Sequence, residues 1–134
     1  MEFRRSRPEE FAAVRSFLTT MGWGIRVADP DRFQRMIEEP NRHLVALDHK
    51  RIVGFGRALC DGVSNGYLSM VAVAPDYRRK GVGRELVRLL MGDDPEITWV
   101  LRSGRGTDGF WEKLGFKAST IAMERVRFSE NREA

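Results

Sequence analysis

The stretch Arg78-Arg79-Lys80-Gly81-Val82-Gly83-Arg84 packs four cations and two glycines into seven residues. It follows a strand-like run, Leu68-Ser69-Met70-Val71-Ala72-Val73, and a turn, Ala74-Pro75-Asp76-Tyr77, and it opens an amphipathic helix that runs to Met91. A helix begins with amides that have no intrahelical partner, and its macrodipole adds partial positive charge at that end. Such an end binds phosphate. Gly81 and Gly83 lack a Cβ, so an anion can approach their backbone closely. The chemistry implied is a phosphate or pyrophosphate cradle. Two familiar phosphate loops do not fit. No glycine is followed by Lys and then Ser or Thr, and the dinucleotide pattern fails where Leu86 stands in place of its third glycine.

The pattern that remains is Arg-x-x-Gly-x-Gly, from Arg78 to Gly83, after a Val-Ala-Val strand. Downstream stands Phe110-Trp111-Glu112-Lys113-Leu114-Gly115-Phe116, with Lys113 in a last helical turn and Gly115 as its stop. In these two segments the chain resembles the GNAT superfamily of N-acetyltransferases. That superfamily carries (Gln or Arg)-x-x-Gly-x-(Gly or Ala) between a strand and a helix, and a Phe-Tyr-x-Lys-x-Gly-Phe segment later. The resemblance implies an acyl-CoA N-acyltransferase fold and acetyl-CoA as cosubstrate. It implies that the loop Arg78, Arg79, Lys80, Gly81, Val82, Gly83 and Arg84 holds the pyrophosphate, and that the backbones of Val71, Ala72 and Val73 pair with the pantetheine arm. Trp111 would pack against the pantetheine. Trp23, in a loop that overhangs the acceptor side in the family, and Tyr67 would meet the substrate.

The catalytic residues are less legible. Acetyl transfer to an amine needs a deprotonated nucleophile, a polarised thioester and a proton for the departing thiolate. Many relatives place a carboxylate near the start of the central strand, whereas Tyr67-Leu68-Ser69-Met70 contains none. Tyr67 and Ser69 share a face by strand alternation and are the weak candidates for positioning water in a proton relay. The family's usual tyrosine acid is replaced by Trp111, which has no transferable proton of suitable pKa. An asparagine seven positions earlier is replaced by Gly104, leaving Ser103 or Arg102 as CoA contacts. The resulting expectation is acetyl transfer from acetyl-CoA to a primary amine of a small molecule or peptide, by direct attack in a ternary complex. The alternative is a CoA-binding regulatory module without transfer.

Around these residues the chain reads as α/β, a mixed sheet with helices on both faces; the resemblance implies that the central sheet is mostly antiparallel, with two splayed parallel strands. Strands are expected at Glu2–Arg5, His43–Leu47, Arg51–Leu59, Tyr67–Val73, Ile97–Leu101 and Lys117–Arg127. Helices are expected from Pro8 to about Met21, from Asp29-Pro30-Asp31 to a stop at Pro40, over Gly83–Met91 and over Asp108–Leu114. Gly22 and Gly24 flank Trp23 in a loop, and Asp61-Gly62 and Asn65-Gly66 mark a bend. One N-acetyltransferase domain spans 1–128, and a polar tail spans 129–134.

Composition excludes other classes. The chain has 134 residues, 42% of them hydrophobic, and no apolar run near the roughly twenty residues that span a bilayer. Glu2 and the charges after it do not make a signal core, so the cytoplasm is the expected location. The single cysteine, Cys60, rules out an internal disulfide and reads as a small buried hydrophobe. His49 beside Asp48 reads as a surface residue, His43 as solvated or hydrogen-bonded, and no metal is expected. The net charge of +4 is largely accounted for by the 78–84 cluster, which fits a polyphosphate ligand better than nucleic acid. The expected partner is an amine acceptor, with no nucleic acid and no membrane, and a homodimer is open. Glu38, Glu39 and Asp61 form no acidic cluster that would select a polycationic acceptor.

Overall fold

The computed structural model describes residues 1–38, 41–104 and 106–128. The chain divides into two compact units, Met1–Arg102 and Ser103–Ala134. The first carries five strands, β1 (Glu2–Arg4), β2 (Arg42–Asp48), β3 (Arg51–Cys60), β4 (Asn65–Val73) and β5 (Thr98–Leu101), side by side in that order. Neighbours from β1 to β4 pair antiparallel, and β4 pairs with β5 in parallel. Three helices join them: α1 (Phe11–Leu18), α2 (Pro30–Glu38) and α3 (Val82–Met91).

Apolar spacing dictates how these elements layer. Phe11, Val14 and Leu18 fall on one stripe of α1 and are buried with Phe33 and Ile37 of α2 against Val45, Leu47, Phe55, Met70 and Ala72 of the sheet. On the opposite face Val82 and Leu86 of α3 pack with Ala46, Val53 and Ala74. Each fully buried side chain of this kind contributes about 1.5–3 kcal/mol relative to exposure. Helix α2 starts where the sequence indicates, because Asp29 Oδ1 accepts the amides of Asp31 (3.0 Å) and Arg32 (3.2 Å).

A charged pair secures the start of the chain. Arg4 Nη1 and Nη2 donate to the two Glu10 oxygens at 2.8 and 2.6 Å, and the Arg7 amide donates to Glu10 Oε1 at 2.8 Å. The Arg4 hydrogen bonds, ahead of the Arg7 amide, pull the Glu10 carboxyl down to about 2. A carboxyl depressed on folding adds stability above its unfolded value near 4.5, and that stability is lost as pH falls towards 2. The pair is partly solvated, so Glu10→Gln should cost about 1–2 kcal/mol at neutral pH. Melts at pH 7 and at pH 2–3 check this: the difference between variant and wild type should shrink in acid.

The sheet departs from the expected boundaries for local reasons. Helix α1 does not continue to Met21. It ends at Leu18 and widens into a π turn over Thr19–Trp23, where Gly22 takes a φ of 93° that interrupts the α-helical path. The bend expected at Asn65-Gly66 is instead the beginning of β4, because Gly66 pairs with Cys60 on one side and with Trp99 on the other. Ladder pairing overrides the turn propensity of Asn-Gly. Gly66 is needed there for a packing reason: an added Cβ would lie 2.4 Å from a carbon of the Trp99 ring. Gly66→Ala should therefore destabilise the β4–β5 pair by about 1–3 kcal/mol, read by thermal melting.

In the second unit α4 (Asp108–Lys113) closes on Leu114 and Gly115, whose φ is 93°. The strand expected over Lys117–Arg127 is not formed, and Ile121 and Met123 in that stretch are exposed. A strand needs a second strand to satisfy its amides, and the described residues of this unit contain none. The expected stop at Pro40, the acid Glu39 and the tail from Ser129 to Ala134 lie outside the described residues.

Candidate active site

The cradle forms where β4 turns into α3. Pro75–Tyr77 make one 3-10 turn, Arg79 takes a φ of 62°, and Gly81 caps α3 with a φ of 84°. That left-handed conformation strains any residue with a Cβ. A Cβ at Gly81 would meet no atom within 4 Å, so the space in front of the helix start is open. The first backbone bond of α3 runs from the Glu85 amide to Gly81 O at 3.0 Å. The amides of Val82, Gly83 and Arg84 precede it and are the first-turn donors of the helix. Arg78, Arg79, Lys80 and Arg84 are all exposed around this point.

A hydrogen-bond network ties the cradle to the sheet. The Tyr77 hydroxyl donates to Asp48 Oδ2, and Arg51 forks onto Asp76 at 2.9 and 3.2 Å. Arg51 and Lys80 both lie over the Tyr77 ring, at 5.4 and 5.5 Å from its centroid. The Tyr77 hydrogen bond holds the Asp48 carboxyl below its usual range and, reciprocally, raises the phenol. Arg78 folds back so that its Nε donates to Val73 O at 3.0 Å, joining the loop to the end of β4.

β4 leaves its neighbour before reaching the cradle. Its pairing with β5 ends at Leu68 opposite Leu101, so on that side Ser69–Val73 run on with no described strand beside them. A bulge lies at this point of departure. Leu59 pairs with Tyr67 and Arg57 with Met70, so two residues of β3 are matched by three of β4, and Ser69 is the inserted one. The register also fixes where each amide points. The Ala74 amide donates to Val53 O at 2.8 Å, which makes Val73 and Gly54 a non-hydrogen-bonded pair. By alternation Ala72 bonds to β3, while Val71 and Val73 turn their backbone groups to the open edge. Of the three positions expected to meet the pantetheine, then, two face the open edge and one bonds within the sheet.

Tyr67 and Ser69 stand at the mouth of this opening. Ser69 Oγ accepts a hydrogen bond from Arg57 Nη1 at 3.0 Å, and the Tyr67 side chain lies within electrostatic reach of the same guanidinium. The sequence reading did not single out Arg57. Its signal was a lone cation at an inward position of an apolar strand, in register with Phe55 two residues before it. Trp23 is half-buried and packs against the α1–α2 core. Trp111 belongs to the second unit, where its ring meets Phe110 and Phe116 edge to face, at 4.8 and 5.6 Å between centroids.

The remaining candidates resolve into structural roles or corrections. Asp61 caps its own turn: it accepts the amides of Val63, Ser64 and Asn65 and the Ser64 hydroxyl, which together hold its carboxyl far below the usual range. Cys60 Sγ accepts the Gly62 amide at 3.2 Å. His49 is exposed beside Asp48. His43 is neither solvated nor fully bonded. It is buried, with Nδ1 unpartnered, because β2 turns it inward beneath Phe11. Among the described residues no three His, Cys, Asp or Glu side chains converge as a metal site would require.

A family model described as the acetyltransferase (GNAT) domain matches residues 39–118. No curated protein matches the chain. Solved structures share the fold at low identity. A transcriptional regulator from Bacillus halodurans superposes with a TM-score of 0.72 at 20% identity, over 94% of this chain and 99% of its own. A protein described as a GNAT-family acetyltransferase from Xanthomonas campestris pv. campestris gives 0.69 at 17% identity, over 94% and 92%. An aminoglycoside acetyltransferase from an uncultured soil metagenomic sample gives 0.68 at 20% identity, over 94% and 97%.

Proposed function

This chain belongs to the GNAT acetyltransferase family, and from that premise we propose that it transfers an acetyl group from acetyl-CoA to a primary amine by direct attack in a ternary complex. The observation that carries the reading is proximity in the chain: the open edge of β4 leads through one 3-10 turn into the glycine-capped, cation-ringed start of α3. Helix amides with open space before them suit a pyrophosphate, and an exposed strand edge suits the amides of a pantetheine arm. Bound there, acetyl-CoA supplies an activated thioester.

The chain's own residues do the rest. Val82, Gly83 and Arg84 offer amides to the pyrophosphate, with Arg78, Arg79, Lys80 and Arg84 adding charge. Val71 and Val73 offer backbone groups along the arm, and an edge N–H aimed at the carbonyl oxygen stabilises charge as it develops. Tyr67 and Ser69 are placed to hold the water that takes the amine proton. Holding the two reactants together lowers most of the barrier, which suits a site without a carboxylate base. Trp111 at the family's tyrosine position leaves water to protonate the departing thiolate. The same residue favours a second reading, a CoA-binding module without turnover.

Calorimetric titration with acetyl-CoA and dephospho-CoA, followed by a thiol-release assay over an amine panel, tests both readings. Micromolar binding with turnover supports transfer. Binding with no turnover on any amine selects the module. No binding to either ligand removes both. We assign the protein to the cytoplasm, without nucleic-acid or membrane partners. No helix of the described residues is long and apolar enough to cross a membrane.

A further inference from the structure

Arg57, on β3, is a buried cation. It is only 8% exposed, and among the described residues Nε is buried without a partner and the side chain's hydrogen bond goes to the neutral Ser69 hydroxyl. Arginine is almost never buried this far unless paired, and an unpaired buried cation costs several kcal/mol. Desolvation accordingly pulls its pKa down. No carboxylate of the described residues reaches it. Directly opposite in the β2–β3 register sits His43, 2% exposed, with Nδ1 also unpartnered. Burial first, and then the charges of Arg5 and Arg57, push His43 down to about 4, so it is neutral at pH 7. Ser6 Oγ is likewise buried and unpartnered, and with His43, Arg5 and Glu38 it lines a cavity of about 160 Å³. A run of unsatisfied donors and acceptors this deep points to a group that arrives from outside.

We propose that Arg57 is the acceptor-specificity residue and binds a carboxylate of the substrate, so that the acceptor is an amino acid or peptide rather than a polycationic amine. The inference rests on the transfer reading for the identity of the bound molecule. Position excludes the CoA phosphates. Ser69, which Arg57 touches, lies four residues before the end of β4, about 13 Å of strand, and the cradle lies beyond that end. Charge selects a monoanion: one guanidinium faces a neutral imidazole, and the cavity beside His43 adds no net charge, because Arg5 and Glu38 both line it. Chemistry suits a carboxylate, which a guanidinium binds through charge-assisted hydrogen bonds. A carboxylate held there leaves the amine of the same molecule beside Ser69 and Tyr67, where β4 opens. Polyamines and aminoglycosides would instead bring cations against a buried cation.

The test compares binding of N-acetyl-L-amino acids and of their primary amides to the CoA-saturated protein by calorimetry. The thiol-release assay is run in parallel on the free amino acids and amino-acid amides. Wild type should bind at least one acid about 10- to 100-fold more tightly than its amide. Arg57→Met should abolish that difference while keeping acetyl-CoA affinity, and its melting temperature should rise because an uncompensated charge has gone. Arg57→Lys should restore part of the preference, and Arg57→Gln serves if the Met variant does not fold. Acid and amide binding equally, neither binding, or a preference that survives loss of the guanidinium overturns the assignment. If the preference and its loss are seen but no amine turns over, the anion site stands and the transfer reading falls.

Discussion

Gly83→Asp should reduce acetyl-CoA affinity by at least about 100-fold, or about 2.7 kcal/mol. Gly83 is the second residue of α3 and is buried, and its amide belongs to the unsatisfied first turn. An aspartate at this position adds a carboxylate to the first turn of α3, two residues from Gly81, whose front is open space. It would carry its carboxylate into the region that the cations at 78–80 and 84 surround. The substitution therefore fills the cradle and replaces attraction for a pyrophosphate with repulsion. Because Gly83 shares the buried stripe of α3, the added carboxylate also costs stability, offset in part by the macrodipole. Thermal melting beside the calorimetry separates the two effects. A folded variant that binds acetyl-CoA as wild type does removes the pyrophosphate assignment.

The glycine-capped, cation-ringed start of α3 was legible in the sequence because its physics is local. Glycines, cations and a helix start within seven residues need no tertiary information, and the layering of α1, α2 and α3 on opposite faces follows from apolar spacing. What was not legible depends on pairing. The bulge at Ser69 arises because three residues of β4 match two of β3, a count that only register reveals. The same register decides that Val71 and Val73 face the opening while Ala72 does not. His43 and Arg57 read as ordinary strand polar residues until β2 and β3 align and place them side by side, both buried. Lys117–Arg127 has strand-like composition, but composition cannot supply the neighbouring backbone a strand requires. Where a residue's role depends on who stands beside it, the sequence offered only an anomaly: a lone arginine among apolar neighbours.

A pair of proline substitutions should divide the two jobs of β4. Proline removes an N–H and fixes φ near −65°, so its effect depends on where that N–H points. The Val71 amide faces the open edge, and the β3–β4 ladder does not use it. Val71→Pro should therefore fold, with the modest cost of bending an extended residue towards −65°. It should nevertheless lose about 100-fold or more in kcat/KM, the scale on which removing one preorganised donor to a developing oxyanion is felt. Ala72→Pro carries the same dihedral cost and in addition deletes a ladder bond to Phe55 in the middle of the sheet. Its penalty should be about 3 kcal/mol or more, seen as a melting temperature lower by roughly 10 °C or more. Circular-dichroism melts and the thiol-release assay on both variants decide the matter, because dihedral strain is common to the pair and cancels in the comparison. If Val71→Pro melts as low as Ala72→Pro, the amide directions derived from the Ala74–Val53 bond are wrong. If it folds and turns over like wild type, the open edge of β4 is not the surface along which the acyl donor lies.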